Sequence, residues 1–235
     1  MSLTVEQLLQ RQALRRDLWQ RASATDGRRP APRPCIALSR FPGSGAATLG
    51  LNVAKQLDFE FFGIEIVDRM AREQGLQRQL AEALDERVRS SIDRYMVDSF
   101  RAGAFLESDY LRALVRTVRS IGEGGAAVLL GRGAPYILPP ERTLRVLVVA
   151  PRAARIERLA KARSLTQEQA ARELEGEHEE RRRFLQHHFR VDPDDASLYD
   201  LAVNTVSLSQ EVACELVVSA YRTRFGASAS VRAKA

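Results

Sequence analysis

Cys35-Ile36-Ala37-Leu38-Ser39-Arg40-Phe41-Pro42-Gly43-Ser44-Gly45-Ala46-Ala47-Thr48 is the stretch that decides how this chain folds. Cys35–Ser39 is a short apolar run of the kind that forms a buried parallel strand. Arg40 to Ala47 make a loop of small residues, and a helix is expected over 48–57, with Leu49, Val53 and Leu57 four apart on one side. Three further runs have strand character: Ala126–Leu130, which stops at Gly131-Arg132-Gly133; Leu144–Val149; and Tyr199–Asn204. Helical periodicity fills 64–123, the segment from Arg152, 166–189 and 209–221, the last with Ser209 as its N-cap. Strands alternating with helices imply crossover connections, hence a parallel sheet covered on both faces. The strand ends at Ser39 and Leu130 are then neighbours. In such sheets ligands bind at the carboxyl ends of the strands. Both glycine clusters fall there.

The chain has 235 residues, 45% hydrophobic and 28% charged, which suits one substantial core with an inserted lobe. No run approaches the ~20 apolar residues of a membrane helix. The first 22 residues lack the apolar core and cleavage site of an export signal, so a cytoplasmic protein is expected. The net charge of +6 is concentrated at the ends: residues 1–34 carry +4, residues 222–235 another +4, and 35–221 sum to −2. A basic groove would show in the folded part, so neither nucleic acid nor a membrane is expected as a partner. Residues 1–34 read as an N-terminal helix, facing inward through Leu8, Leu9, Leu14 and Leu18, and a Pro/Arg linker over 23–34. Residues 222–235 read as a flexible basic tail. Cys35 and Cys214 read as buried small hydrophobes. His178, His187 and His188 cannot share one helix face, so they do not suggest a metal site.

Strand, glycine-rich loop and helix in succession resemble a P-loop. Glycine lets backbone N–H groups turn inward around a phosphate at the positive end of a helix. A full motif ends in Gly-Lys-Ser/Thr, the lysine reaching the terminal phosphates. Here Ala46 stands where lysine is expected, Ala47 where small nucleotide kinases have glycine, and Arg40 at the first glycine position. The only lysines are Lys55, Lys161 and Lys234. Taken alone, Gly-Ser-Gly is equally a tight turn.

The segment 36–45 is similar to the S-R-x-x-G-S-G opening of the cytidylate kinase-like family, a branch related to bacterial CMP kinases that itself lacks the loop lysine. Val128–Leu138 is similar to the family's V-I-V-G-R-G-A-x-Y-I-L stretch. Arg181-Arg182-Arg183-Phe184, followed by Leu198–Thr205, resembles its lid arginines and L-Y-D-L-x-x-N-T. The matches run in order over 35–221. The resemblance implies a P-loop NTPase-like three-layer α/β/α fold with a parallel sheet, a helical acceptor-binding insertion over 60–125 and an Arg-rich helical lid over 152–190. It implies phosphoryl transfer from ATP, with Mg2+, to a nucleoside monophosphate such as CMP or dCMP. On that resemblance Gly43, Ser44, Gly45, Ala46, Ala47 and Thr48 hold the donor triphosphate, Thr48 meeting Mg2+ through the nucleotide. Gly131, Arg132 and Gly133 hold the acceptor phosphate, and Arg181 closes on the transferred group. Fixed arginines suit a reaction that is mostly positioning and charge neutralisation. Arg155 and Arg158 are weaker candidates.

Each role has a plainer alternative. Arg132 could simply pair with a carboxylate, and the glutamates before Arg181 could neutralise it on a solvated helix face. His178 stands where the lid pattern Asp-x-x-Arg has its Asp, Gly133 where CMP kinases have Asp, and Gly63 where the family commonly has Asp. Losing the loop cation costs several kcal/mol of transition-state stabilisation unless another replaces it. Arg40, flanking the loop, is the expected substitute. Two functions follow: a nucleoside monophosphate kinase, or a weak or inactive nucleotide-sensing relative on the same fold. Arg40 and Arg181 both facing the loop would favour the enzyme. Arg181 neutralised by Glu177 or Glu180 outside the pocket would favour the sensor. A homodimer is compatible with either.

Overall fold

Along Cys35–Arg40 (β1) successive side chains point to opposite faces, and both faces lead into apolar core. Cys35 and Ala37 join one buried cluster with Phe62, Met70, Leu114 and Ile121. Ile36 and Leu38 join another with Leu49, Val53, Val146 and Tyr221. A strand buried on both sides belongs in the middle of a parallel sheet. In the computed structural model, which describes residues 4–23, 32–73, 75, 90, 92–94 and 108–226, β1 is the central one of five strands. The others are β2 (Glu60–Phe62), β3 (Ala127–Leu130), β4 (Thr143–Val149) and β5 (Leu201–Asn204), in the order β2-β3-β1-β4-β5. Every pairing is parallel.

The described helices are α1 (Val5–Ser23), α2 (Ala46–Leu57), α3 (Ile64–Arg72), α4 (Asp109–Gly124), α5 (Ala134–Ile137), α6 (Arg152–Arg163), α7 (Gln167–Phe189) and α8 (Gln210–Phe225). α3 and α4 cover one face of the sheet, α2 and α8 the other. The result is the P-loop kinase-like α/β/α architecture expected from the sequence. α6 and α7 pair through their own small core of Ile156, Leu159, Ala170 and Leu174. No helix among the described residues is long and apolar enough to cross a membrane. Most of the interior of the 60–125 insertion lies outside the described residues, as do 24–31 of the linker and 227–235 of the tail.

Several local expectations differ from the structure. α2 begins at Ala46, two residues earlier than its apolar spacing suggests, because Gly45 takes a left-handed N-cap conformation. β2 was not expected, being three residues long and opening on a glutamate. Glu60 is buried because α1 supplies its partners: Arg11 Nε lies 3.1 Å and Arg15 Nε 2.9 Å from Oε1. α1 also docks through Leu8 in the core and Gln12, whose Nε2 donates to the carbonyls of Ile121 (2.9 Å) and Gly125 (3.0 Å). Its inward stripe is therefore Leu8–Gln12–Arg15, spaced i, i+4, i+7. Leu14 and Leu18, expected inward, are exposed, and the Leu9 side chain lies outside the described residues. At the other end α8 runs through Phe225, so Arg222 and Arg224 belong to a helix rather than to the tail. Arg224 pairs with Asp200 and donates to the Pro140 carbonyl at 2.7 Å.

Candidate active site

β1 ends at Arg40, the chain turns through Phe41–Gly45, and α2 starts at once. The turn is clamped to the sheet by Phe41 N donating to Val148 O at 3.0 Å and closed by Ser44 N donating to Phe41 O at 3.1 Å. Gly43 sits at φ +75°, where a Cβ would lie 2.9 Å from the Arg155 carbonyl oxygen. Only glycine satisfies both the dihedral and the contact. α6 braces the loop. Arg155 donates to the carbonyls of Ala150 (3.0 Å) and Pro42 (3.3 Å). Arg158 Nη1 donates to Ser44 O (3.1 Å) and Thr205 Oγ1 (2.9 Å), and Thr205 Oγ1 donates to Ser44 O at 2.6 Å. Ser44 is buried, and its Oγ has no hydrogen-bond partner among the described residues. Ala46 is buried, whereas Ala47 and Thr48 are exposed on the first turn of α2. Free N–H groups at a helix start, beside an unpaired hydroxyl, suit an anion such as phosphate.

Next to the loop, a cleft of about 480 Å³ opens at the carboxyl ends of β1 and β3. Gly131 N donates to Leu38 O at 2.9 Å and ties the two strand ends together. Gly131, Arg132 and Gly133 all have positive φ, 75°, 50° and 73°, which turns the chain sharply and presents Arg132 to the cleft. A Cβ on Gly133 would lie 2.6 Å from the Phe189 ring. Arg132 Nε stands 3.5 Å from Asp68 Oδ1, and Asp68 also receives Tyr110 Oη and Arg72. Partial burial raises the Asp68 pKa, but the Tyr110 hydrogen bond and the Arg132 and Arg72 charges outweigh it, leaving the carboxyl below its ordinary value.

Arg181, from α7, forms the opposite wall. Nη1 donates to Asp194 Oδ1 at 2.7 Å, and Nη2 donates to Ser39 Oγ (3.0 Å) and Pro193 O (2.9 Å). The same Pro193 carbonyl accepts Tyr199 Oη at 2.8 Å, and Tyr199 Oη meets Tyr136 Oη at the cleft edge. Asp194 also takes His178 Nε2 at 3.0 Å. Arg40 lines the cleft without a hydrogen bond or ion pair among the described residues. Burial pushes its guanidinium below the ordinary value, with Glu177 opposing and Arg181 reinforcing. Glu65, Glu177 and Glu180 add carboxylates to the walls.

The structure thus gathers Arg40, Gly131, Arg132, Gly133 and Arg181 around one cleft. Of the turn Phe41–Gly45, Pro42 lines it, and Gly43–Thr48 lie outside its lining. Arg181 is bonded to Asp194 from the following loop rather than to Glu177 or Glu180, because its guanidinium turns toward β1. Arg40, at the foot of the loop, lines the cleft, and the cation bonded to Ser44 is Arg158. Arg132 carries both of its alternatives at once, lining the cleft and pairing with Asp68. Among the residues given no weight in the sequence, Asp194 and Glu65 shape the cleft. Thr205 braces the loop and belongs to the Leu198–Thr205 segment already singled out by its motif.

The profile of the cytidylate kinase-like family matches residues 35–207. A cytidylate kinase of Methanopyrus kandleri is 27% identical over 186 residues, which cover 75% of this chain and 86% of that protein. A cytidylate kinase of Aeropyrum pernix is 29% identical over 193 residues, covering 80% and 98%. Among solved structures, an uncharacterized protein from Eubacterium ventriosum superposes with a TM-score of 0.61 at 13% identity, over 81% of this chain and 99% of that one. That likeness is one of fold.

Proposed function

Because the chain belongs to the cytidylate kinase-like family, we propose that it is a nucleoside monophosphate kinase that transfers a phosphoryl group from ATP to CMP or dCMP. The observation that carries this is the convergence of Arg40, Arg132 and Arg181 on one cleft beside the glycine loop. Phosphoryl transfer asks for in-line placement of donor and acceptor and for fixed positive charge around the transferred group. The loop, with its turned glycines and unpaired Ser44 Oγ, fits a phosphate chain. Arg132 grips the acceptor phosphate. Arg40, unpaired among the described residues, and Arg181, pre-ordered by Asp194, Ser39 and Pro193, neutralise the charge between the two. The α7 wall excludes water, which protects ATP from hydrolysis.

By the family resemblance, Thr48 would be the hydroxyl that meets Mg2+ carried by the nucleotide. Once bound, it adds positive charge to the phosphates. A second reading, a nucleotide sensor without turnover, draws on Ala46 and on Lys55 and Lys161 being exposed. The test is ADP release from ATP and Mg2+ with CMP, dCMP, UMP or AMP added singly, alongside calorimetric titration of each nucleotide. A kinase gives acceptor-dependent ADP that drops by about 100-fold or more in Arg132→Ala. Binding without ADP release for every acceptor makes the protein a sensor.

A further inference from the structure

The glycine loop has alanine where its motif calls for a cation, and a guanidinium reaches it from α6. Arg158 Nη1 donates to Ser44 O at 3.1 Å and to Thr205 Oγ1 at 2.9 Å, and Nη2 donates to Thr205 O at 2.9 Å. Nη1 would stand 3.5 Å from a Cβ on Gly45, the residue that caps α2 and precedes Ala46. Arg155, the other arginine on the loop, is buried against the carbonyls of Ala150 and Pro42 and lies over the Phe41 ring. Arg158 is only half-buried. Its three hydrogen bonds leave one N–H on Nη2 and the Nε–H uncommitted. Lys55 and Lys161 are exposed elsewhere, and Arg40 faces the neighbouring cleft.

We propose that Arg158 is the functional replacement for the missing loop lysine, holding the donor's phosphates on the loop with a charge fixed in place by Ser44 and Thr205. This rests on the reading that the loop takes the donor nucleotide. A lysine on the loop is a flexible point charge that is ordered when phosphate binds. A guanidinium already held by three bonds is pre-ordered, so little entropy is lost on binding. The replacement also moves the cation from the loop to α6, the helix paired with the Arg181-bearing α7.

The experiment separates charge from bracing. ATP and inorganic tripolyphosphate are titrated calorimetrically into the wild type, Arg158→Met, Arg158→Lys, and Arg158→Met combined with Ala46→Lys, with thermal unfolding of each. We expect Arg158→Met to weaken both ligands about tenfold or more. Arg158→Lys keeps affinity within about threefold although it loses the fork of bonds and melts earlier. Adding Ala46→Lys to Arg158→Met restores most of the lost affinity. Unchanged affinity in Arg158→Met overturns the proposal. So does Arg158→Lys failing as badly as Arg158→Met with no recovery from Ala46→Lys, which is the result of a structural brace. If Arg158→Met does not fold, Arg158→Gln, which keeps a donor for Ser44, takes its place. Wild-type protein that binds tripolyphosphate and ATP but releases no ADP with any acceptor defeats the kinase reading and leaves this proposal standing. Wild-type protein that binds neither ligand defeats both.

Discussion

Arg132 shows what one residue gives up to occupy its place. At φ +50° it lies in the left-handed region, which costs an L-residue with a Cβ about 1–2 kcal/mol. Its ion pair to Asp68, with the arginine side chain a third exposed, returns at most about 1 kcal/mol. The strain is testable within one site. Arg132→Gly should be about 1 kcal/mol more stable than Arg132→Ala by urea denaturation, reversing the usual order of alanine over glycine. Equal stabilities, or alanine ahead, would show an unstrained backbone. Both variants remove the guanidinium that we propose holds the acceptor, so stability and activity should move independently here.

At the scale of elements, α7 is joined to the sheet through a small polar knot. His178 and Arg181, one turn apart on α7, both bond Asp194, while Phe41 at the end of β1 meets the His178 ring edge-on at 5.1 Å. Burial lowers the His178 pKa, Arg181 and Arg155 push the same way, and Asp194 opposes them. The sign follows from linkage. With its folded pKa below the ordinary ~6.5, His178 is protonated first in the unfolded chain, so stability is complete above that pH and is lost as pH falls toward the folded value. Denaturation at pH 7.5, 6.5 and 5.5 should show this decline, and His178→Gln should flatten it. A decline of the same slope in the variant would assign it to other groups. The knot also marks where sequence reasoning stopped. Gly131-Arg132-Gly133 and Arg40 are legible because they adjoin strand ends, where chain direction alone places them. Asp194, and Arg158, which the sequence offered only as a weaker candidate, act on partners 13 and 114 residues away, through side-chain reach that no local spacing encodes. In a chain whose 36 basic residues include only three lysines, one more arginine carries no signal by itself.

Over the whole molecule, long apolar runs told the truth and mixed ones did not. β1, β3 and β4 were legible because a strand buried on both faces is nearly continuous in its apolar residues, whereas β5, at the sheet edge with Ala202 exposed, was legible from the short run Leu201-Ala202-Val203 alone. β2 was not, since its first residue is a buried carboxylate whose burial makes sense only with α1 in place. α1 was misjudged for the same reason: its inward stripe contains Gln12 and Arg15, which a search for leucines passes over. This pairing predicts a measurable dependence. Arg11→Leu with Arg15→Leu strands the Glu60 carboxylate and should cost about 3 kcal/mol of stability, most of which returns on adding Glu60→Leu. A loss below about 0.5 kcal/mol would mean that water reaches Glu60.

The polar contacts of α1 with Glu60, Asp58 and Gly125 lie at the amino ends of the strands, whereas the cleft and glycine loop lie at the carboxyl ends. A strand of six residues separates them, about 20 Å of sheet. At that distance energetic effects add rather than interact. Variation in the N-terminal helix and variation in the pocket therefore make two nearly separate ledgers of heritable change. A lineage could trade its acceptor or its turnover at one end of the sheet while retuning thermal tolerance at the other, with little epistasis between them.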